Sequence, residues 1–184
     1  MTARKMMQAL TLALCTVAAV SMMVDAAAGP TLRFRDVTDL NERLYIKWRN
    51  YNMTTGGRCH SAQKQSGGDK HFSYTLRFKP EGKNFLIPIP TELTIVSEDT
   101  VRYSFGPGFP EVERRLIHVS SQNTCFILSE KLPNGATGCQ LIQKQSSIDN
   151  IPDDCENAYK KYCGDEKIDL YEKYCKDLRD FSHQ

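Results

Sequence analysis

IPDDCENAYKKYCGDEKIDLYEKYC, residues Ile151 to Cys175, decides how the whole chain is read. Cys155, Tyr159 and Cys163 stand four residues apart, so a helix over this stretch carries them on one face. Pro152 precedes it, and Asp153 with Glu156 three residues on has the pattern of an N-cap and its capping box. Gly164 supplies a stop at a C′-like position. A second helix is expected next, with Ile168, Tyr171, Cys175 and Leu178 on one stripe and Asp165, Glu166, Lys173 and Lys176 facing water. The other cysteines, Cys59, Cys125 and Cys139, lie in stretches that read as strands. The simplest reading is a β-structure with C-terminal helices fastened to it by three disulfides, an architecture that belongs outside the cell.

The N-terminus points to the same compartment. Arg4 and Lys5 form a short basic region, Leu10 to Val24 is apolar, and Ala26-Ala27-Ala28-Gly29 offers small residues for cleavage after Ala26 or Ala28. The apolar run is about fifteen residues where a bilayer span needs roughly twenty, so it reads as a secretion signal rather than an anchor. Residues 1–28 are therefore assigned to a signal peptide and 29–184 to one domain, about 156 residues and enough for its own core. Cys15 leaves with the signal, so seven cysteines become six, an even number suited to an oxidising compartment. Removing Arg4, Lys5 and Asp25 from the 24 basic and 22 acidic residues leaves a formal charge of about +1, no footprint for nucleic acid. No other segment is apolar enough to span a membrane, and a secreted, soluble monomer is expected. Asn52-Met53-Thr54 is a glycosylation sequon in an expected loop, which makes Asn52 an acceptor in a secreted protein.

Between Arg43 and Lys144 short apolar and β-branched runs alternate with turn signals at nearly even spacing. Eight strands are predicted: Leu44–Tyr51, Arg58–Lys64, His71–Lys79, Phe85–Ile89, Thr100–Phe105, Arg114–Val119, Thr124–Glu130 and Cys139–Lys144. Thr55-Gly56-Gly57, Gly67-Gly68-Asp69, Gly106-Pro107-Gly108 and Asn134-Gly135 are among the turns between them. Short connections imply sequential antiparallel neighbours. Eight such strands close into a barrel without an open edge, and a two-sheet sandwich is the rival. A shorter helix over Arg35–Asn41 is placed to cap the barrel floor. Alternation puts Phe72, Tyr74, Leu76 and Phe78 on one face of the third strand, and Tyr103, Phe105 and Phe126 join them on the inner wall. These side chains either fill the core or line a cup for a small aromatic or lipid ligand; periodicity does not separate the two.

No catalytic constellation stands out. There is no Gly-x-Ser-x-Gly elbow, no His-Glu-x-x-His and no phosphate-cradling glycine loop. Cys59 and His60 are adjacent on a strand and point to opposite faces, so they do not make a thiol–base pair. Cysteine spacings without Cys-x-x-Cys argue against zinc. The expectation is a non-enzyme with no cofactor and no metal. Six cysteines still permit fifteen pairings.

The C-terminal block, read with ERLYIKWRNYNMTTGGRC (Glu42 to Cys59), resembles the tick salivary lipocalins, the histamine-binding protein family. An Asp-x-x-x-Leu helix precedes an aromatic-rich first strand, a cysteine stands on the second strand, and Cys139 opens the last. Ile151-Pro152-x-x-Cys155, Tyr159-x-x-x-Cys163-Gly164 and Tyr171-x-x-x-Cys175 complete the pattern, while the general lipocalin Gly-x-Trp signature is absent. The resemblance implies an eight-stranded lipocalin barrel and the disulfides Cys59–Cys175 and Cys125–Cys155, which leaves Cys139 with Cys163. It implies secretion into a bite site and capture of host mediators, either biogenic amines such as histamine and serotonin or lipid mediators such as leukotrienes. In some members it implies binding of complement proteins instead.

The chain departs from the amine binders of that family. They tend to carry Cys-Asp-aliphatic on the seventh strand and Glu-Leu-aromatic on the eighth. Here Phe126 stands in place of the Asp, Gln140 in place of the Glu and Ile142 in place of the aromatic. An ammonium group loses its buried counter-ions, which makes it costly in an apolar cup. A hydrophobic ligand is expected to compete better, its carboxylate met by Arg77, Arg102, Arg115 or His118, with Glu92 and Asp99 as an alternative acidic site.

Overall fold

The computed structural model describes residues 32–52 and 57–182. The segment read as a signal peptide, and Met53 and Thr54 of the sequon, lie outside the described residues; Asn52 is exposed. A short helix α1 (Arg35–Thr38) leads into β1 (Leu44–Arg49), β2 (Arg58–Gly68), β3 (His71–Lys79) and β4 (Ile87–Ser97). Then come β5 (Thr100–Ser104), β6 (Glu111–Val119), β7 (Cys125–Lys131) and β8 (Thr137–Lys144). After β8 the chain makes a 3-10 turn (Gln145–Ser147), helix α2 (Asp153–Cys163), a two-residue strand β9 (Ile168–Asp169) and a second 3-10 turn (Lys173–Lys176). Successive strands pair antiparallel from β2 round to β8, β8 pairs with β1, and β1 returns to β2 through Leu44–Ala62 and Tyr45–Ser61. One sheet therefore closes on itself, and the sandwich is excluded.

The expected eight strands are present, but β4 is longer than its sequence suggests. Pro88 and Pro90 mark an end by propensity, yet the strand runs on to Ser97. The prolines sit where β4 has only β3 beside it, because pairing with β5 begins at Leu93–Tyr103. A missing N–H costs least on a strand with one free side.

The tail corrects the reading in two places. Helix α2 has the expected span, but Asp153 lies inside it: Pro152 is the N-cap and no side chain caps the first turn. Asp153, Asp154 and Glu156 instead place negative charge near the helix N-terminus, where the macrodipole favours it, and Asp154 accepts the Ser121 N–H at 2.9 Å. Gly164 ends the helix at φ +85°, a conformation that favours glycine. The predicted second helix is reduced to the one 3-10 turn around Cys175. Ahead of it Trp48 pairs with Asp169 and Arg49 with Ile168, the Leu170 N–H donates to Lys47 O (3.0 Å), and the Cys59 N–H donates to Leu170 O (2.7 Å). The tail backbone thus fills the wedge where β1 and β2 diverge. Satisfying those strand groups outweighs the helical periodicity of the segment.

Three apolar clusters follow from this layout. The barrel interior holds Leu44, Phe72, Leu93, Val101, Leu116 and Phe126, closed below by Phe34 and Val37 of the α1 region. Outside the barrel α2 covers Trp48, Ile127 and Leu141 with Ala158 and Tyr159, and the Trp48 and Tyr159 rings meet edge to face at 5.6 Å. A third cluster joins Tyr45, Leu86 and Ile148 to Tyr171 and Cys175 of the tail. The disulfides Cys59–Cys175, Cys125–Cys155 and Cys139–Cys163 stitch these outer layers to the wall, in the pairs the family resemblance implies. No helix among the described residues is long and apolar enough to cross a membrane.

Candidate functional site

The barrel encloses a chamber of about 180 Å³. Its lower part is hydrocarbon: Phe34 and Val37 rise from the floor, and Leu44, Ala62, Tyr74 and Leu93 form the walls. Phe105 and Phe109 stand toward the opposite end, in the turn after β5.

Of the sequence-predicted lining, Tyr74, Leu76, Phe78, Tyr103, Phe105, Gln140 and Ile142 all face this chamber. Phe72 and Phe126 do not reach it. They are buried in the interior cluster, where they pack beneath it with Leu116 and Val101. The position at which amine binders place an acid on the seventh strand is therefore packing here.

Of the cations proposed from sequence, Arg77 reaches the chamber and Arg102, Arg115 and His118 do not line it. Arg102 and Arg115 are on the outer face, paired with Glu113 (2.5 Å) and Asp99 (2.6 Å). Asp99 is thereby engaged, and Glu92 is exposed. Arg77 reaches the chamber wall, but its guanidinium is held by Asp180 at 2.8 Å in the C-terminal tail. A register shift between Leu116 and His118 turns His118 outward toward Asp154 of α2, and burial lowers its pKa, with Asp154 partly opposing. His118, Asp154 and Cys155 converge, but the Cys155 sulfur is in a disulfide and offers no thiolate to a metal.

The residue that sequence reasoning missed is Arg114. It is 2% exposed and lies on the inner face of β6, beside Tyr103 and Phe105, whose ring centroids are each 5.4 Å from its guanidinium carbon. Glu130 on β7 pairs with it at 3.0 Å, Gln140 accepts a hydrogen bond from it, and Tyr51 donates to Glu130. Burial opposes the charge of Arg114, but Tyr103, Tyr51 and Glu130 outweigh it and hold the guanidinium above its ordinary value. Arg49, 4% exposed, stands over the Tyr51 ring at 5.5 Å. Burial and repulsion from Arg114 lower its pKa. The Nε atoms of both arginines are buried without a hydrogen-bond partner. Strict alternation from Phe126 through Leu128 finds Glu130, and alternation on β6 finds Arg114; phase counted from His118 fails at the bulge.

His60 completes the lining, its ring stacked on Phe78 at 6.0 Å. Burial first and Arg49 second push its pKa down to about 4, so the imidazole is neutral at physiological pH. Two guanidiniums thus line the chamber, Arg114 and Arg77, each paired with a carboxylate, Glu130 and Asp180, and Arg49 stands close to Arg114. Among the described residues of the chamber no nucleophile is paired with a base.

Residues 34–177 match the family model of the tick histamine binding protein. The chain belongs to this family. No curated protein matches it by sequence. Among solved structures, the serotonin complex of AM182 superposes with a TM-score of 0.62 at 16% identity, over 80% of this chain and 94% of the other. Japanin from Rhipicephalus appendiculatus bound to cholesterol gives 0.55 at 12% identity, over 79% and 99%. Insecticyanin from the tobacco hornworm Manduca sexta gives 0.58 at 10% identity, over 79% and 86%. At these identities the likeness concerns the fold, a lipocalin barrel. The family and the barrel make this tick histamine-binding family member a lipocalin-type small-molecule binder.

Proposed function

We propose that the protein is secreted, with cleavage after Ala26 or Ala28 and glycosylation at Asn52, and that it captures a host inflammatory mediator stoichiometrically, without turnover. The ligand is an acidic lipid in preference to a biogenic amine. The observation that carries this is Arg114: a buried cation in the chamber wall, with Arg49 close by. A ligand carboxylate is drawn to that charge, and charge-assisted bonds of this kind are the stronger class. An ammonium would have to compete with Arg114 for Glu130.

Isothermal titration of the mature protein against histamine, serotonin, a leukotriene and a fatty acid tests this. The acids should bind and the amines should be weak. Arg114→Gln combined with Glu130→Gln, which keeps the shape and removes the charges, should abolish the preference. Sub-micromolar histamine binding with no acid binding overturns the reading. The small chamber favours a second one, in which the barrel is mostly filled and the loops bind a host protein such as a complement component. Native mass spectrometry of the secreted protein distinguishes the two by a co-purified small molecule.

A further inference from the structure

The chamber, about 180 Å³, is below the roughly 300–1,000 Å³ usual for sites that enclose a drug-sized ligand. A long-chain lipid does not fit inside it, so a tail anchored at Arg114 needs a way out. On one side the wall lacks backbone pairing. The β4–β5 ladder stops at Leu93–Tyr103 on the side of the β5–β6 turn. Continued in register, it would set Pro90 against Gly106 and Pro88 against Gly108, with Pro107 between the two glycines. Pro88 and Pro90, without N–H groups on the side that faces β5, keep this stretch from zipping. Contact replaces pairing there: a Cβ at Gly106, whose φ of +127° favours glycine, would sit 3.0 Å from Ile89 Cγ2. Ile89 and Thr91 line the chamber from β4, and Phe105 and Phe109 line it from the turn. Phe109 is also 55% exposed, an apolar ring that touches both the chamber and water.

We propose that this seam is a lateral tail subsite: the hydrocarbon chain of an acidic, single-chain lipid leaves the barrel between Ile89 and Phe105, under Phe109. The proposal rests on the acid-binding reading of Arg114. Phe109 is then the residue that sets chain-length preference. It covers the emerging tail, while the rest of the chamber holds the head and first carbons.

A chain-length series separates the two claims. Octanoate, dodecanoate and octadecanoate are titrated into the wild-type protein and into Phe109→Ala, a change at an exposed turn. A half-buried tail should gain about twofold in affinity per added methylene, half the effect of full burial, with no plateau before octadecanoate. Phe109→Ala should weaken octadecanoate about tenfold and leave octanoate within about twofold. In stearate carrying a nitroxide, the label near the methyl end should be broadened by a water-soluble relaxing agent, and the label near the carboxylate should be shielded. If acids bind but the methyl-end label is shielded and Phe109→Ala is neutral, the tail points to the floor and the lateral subsite is wrong, while the Arg114 reading stands. If no acid of any length binds, the reading of Arg114 itself fails, and the subsite with it.

Discussion

Arg114 and Glu130 depend on each other for their burial. A buried charge that loses its partner is left uncompensated, at a cost of about 3–5 kcal/mol, whereas replacing both partners by apolar groups is often close to neutral. Arg114→Met alone should therefore destabilise the barrel by about 3 kcal/mol, and Arg114→Met with Glu130→Met by clearly less, read from guanidinium unfolding midpoints. Additive effects of the two single changes would show that the pair is not coupled. His60 gives a pH signature. Its folded pKa of about 4 lies below the ordinary 6.5. In that window the unfolded chain takes up a proton that the folded chain refuses, so stability is lost as the pH falls. Allowing for its partial exposure, the loss is about 2 kcal/mol. His60→Gln should flatten the stability profile between these pH values; an unchanged slope would assign the acid sensitivity to other groups. Both residues were only partly legible in the sequence. Strand alternation separates His60 from Cys59, but only the closed barrel brings Phe78 and Arg49 beside it. Arg114 follows from alternation along β6 and not from counting back from His118, because the register shifts between Leu116 and His118.

Helix α2 is the element in which local signals and tertiary structure agree best. Its four-residue spacing puts Cys155 and Tyr159 on the buried face, and Cys163 at its end reaches Cys139 on the adjacent strand. Tyr159 is 2% exposed, and burial raises its hydroxyl to about pKa 12. Truncating a buried aromatic costs about 3–5 kcal/mol. Tyr159→Ala should therefore lower the unfolding midpoint strongly, yet ligand affinity should hold, because Trp48 and Tyr159 lie outside the barrel wall. Affinity lost in step with stability would mean that α2 shapes the chamber as well as covering the sheet. The segment after Gly164 shows the opposite case. Ile168, Tyr171 and Cys175 have helical spacing, but a lone amphipathic turn gains little until it packs. Open hydrogen-bonding groups on β1 and β2 recruited the backbone first.

At the scale of the molecule, the barrel is closed by short means. Only Leu44 and Tyr45 pair β1 directly with β2, and the remainder of that boundary is filled by the tail. Cys59–Cys175, 116 residues apart, holds this filler in place. In the chain-entropy model a loop of that length is worth about 5 kcal/mol, against about 3.5 kcal/mol for each of the two shorter ones. Replacing Cys59 and Cys175 by Ser should therefore cost the most stability of the three paired replacements. It should also speed hydrogen exchange at Leu170 and Cys59 before the rest of the sheet. Equal losses for all three pairs would mean that the tail is held by its packing on Tyr45 and Leu86 instead.

The sequence by itself determined the strand count, the inner aromatic face, helix α2 with its glycine stop, and, through the family likeness of its cysteine motifs, two disulfides, with the third left by elimination. These features rest on short-range periodicity and on residue types whose effect is local. Only the tertiary structure decided that β4 continues through two prolines, that the segment after Gly164 forms a two-residue strand and a 3-10 turn in place of a second helix, and that Phe126 packs below the chamber while Arg114, Glu130, Gln140 and Tyr51 meet at one end of it. Those outcomes depend on which backbone groups lack partners and on where bulges shift the inward face. Both are settled only when strands far apart in the chain come together.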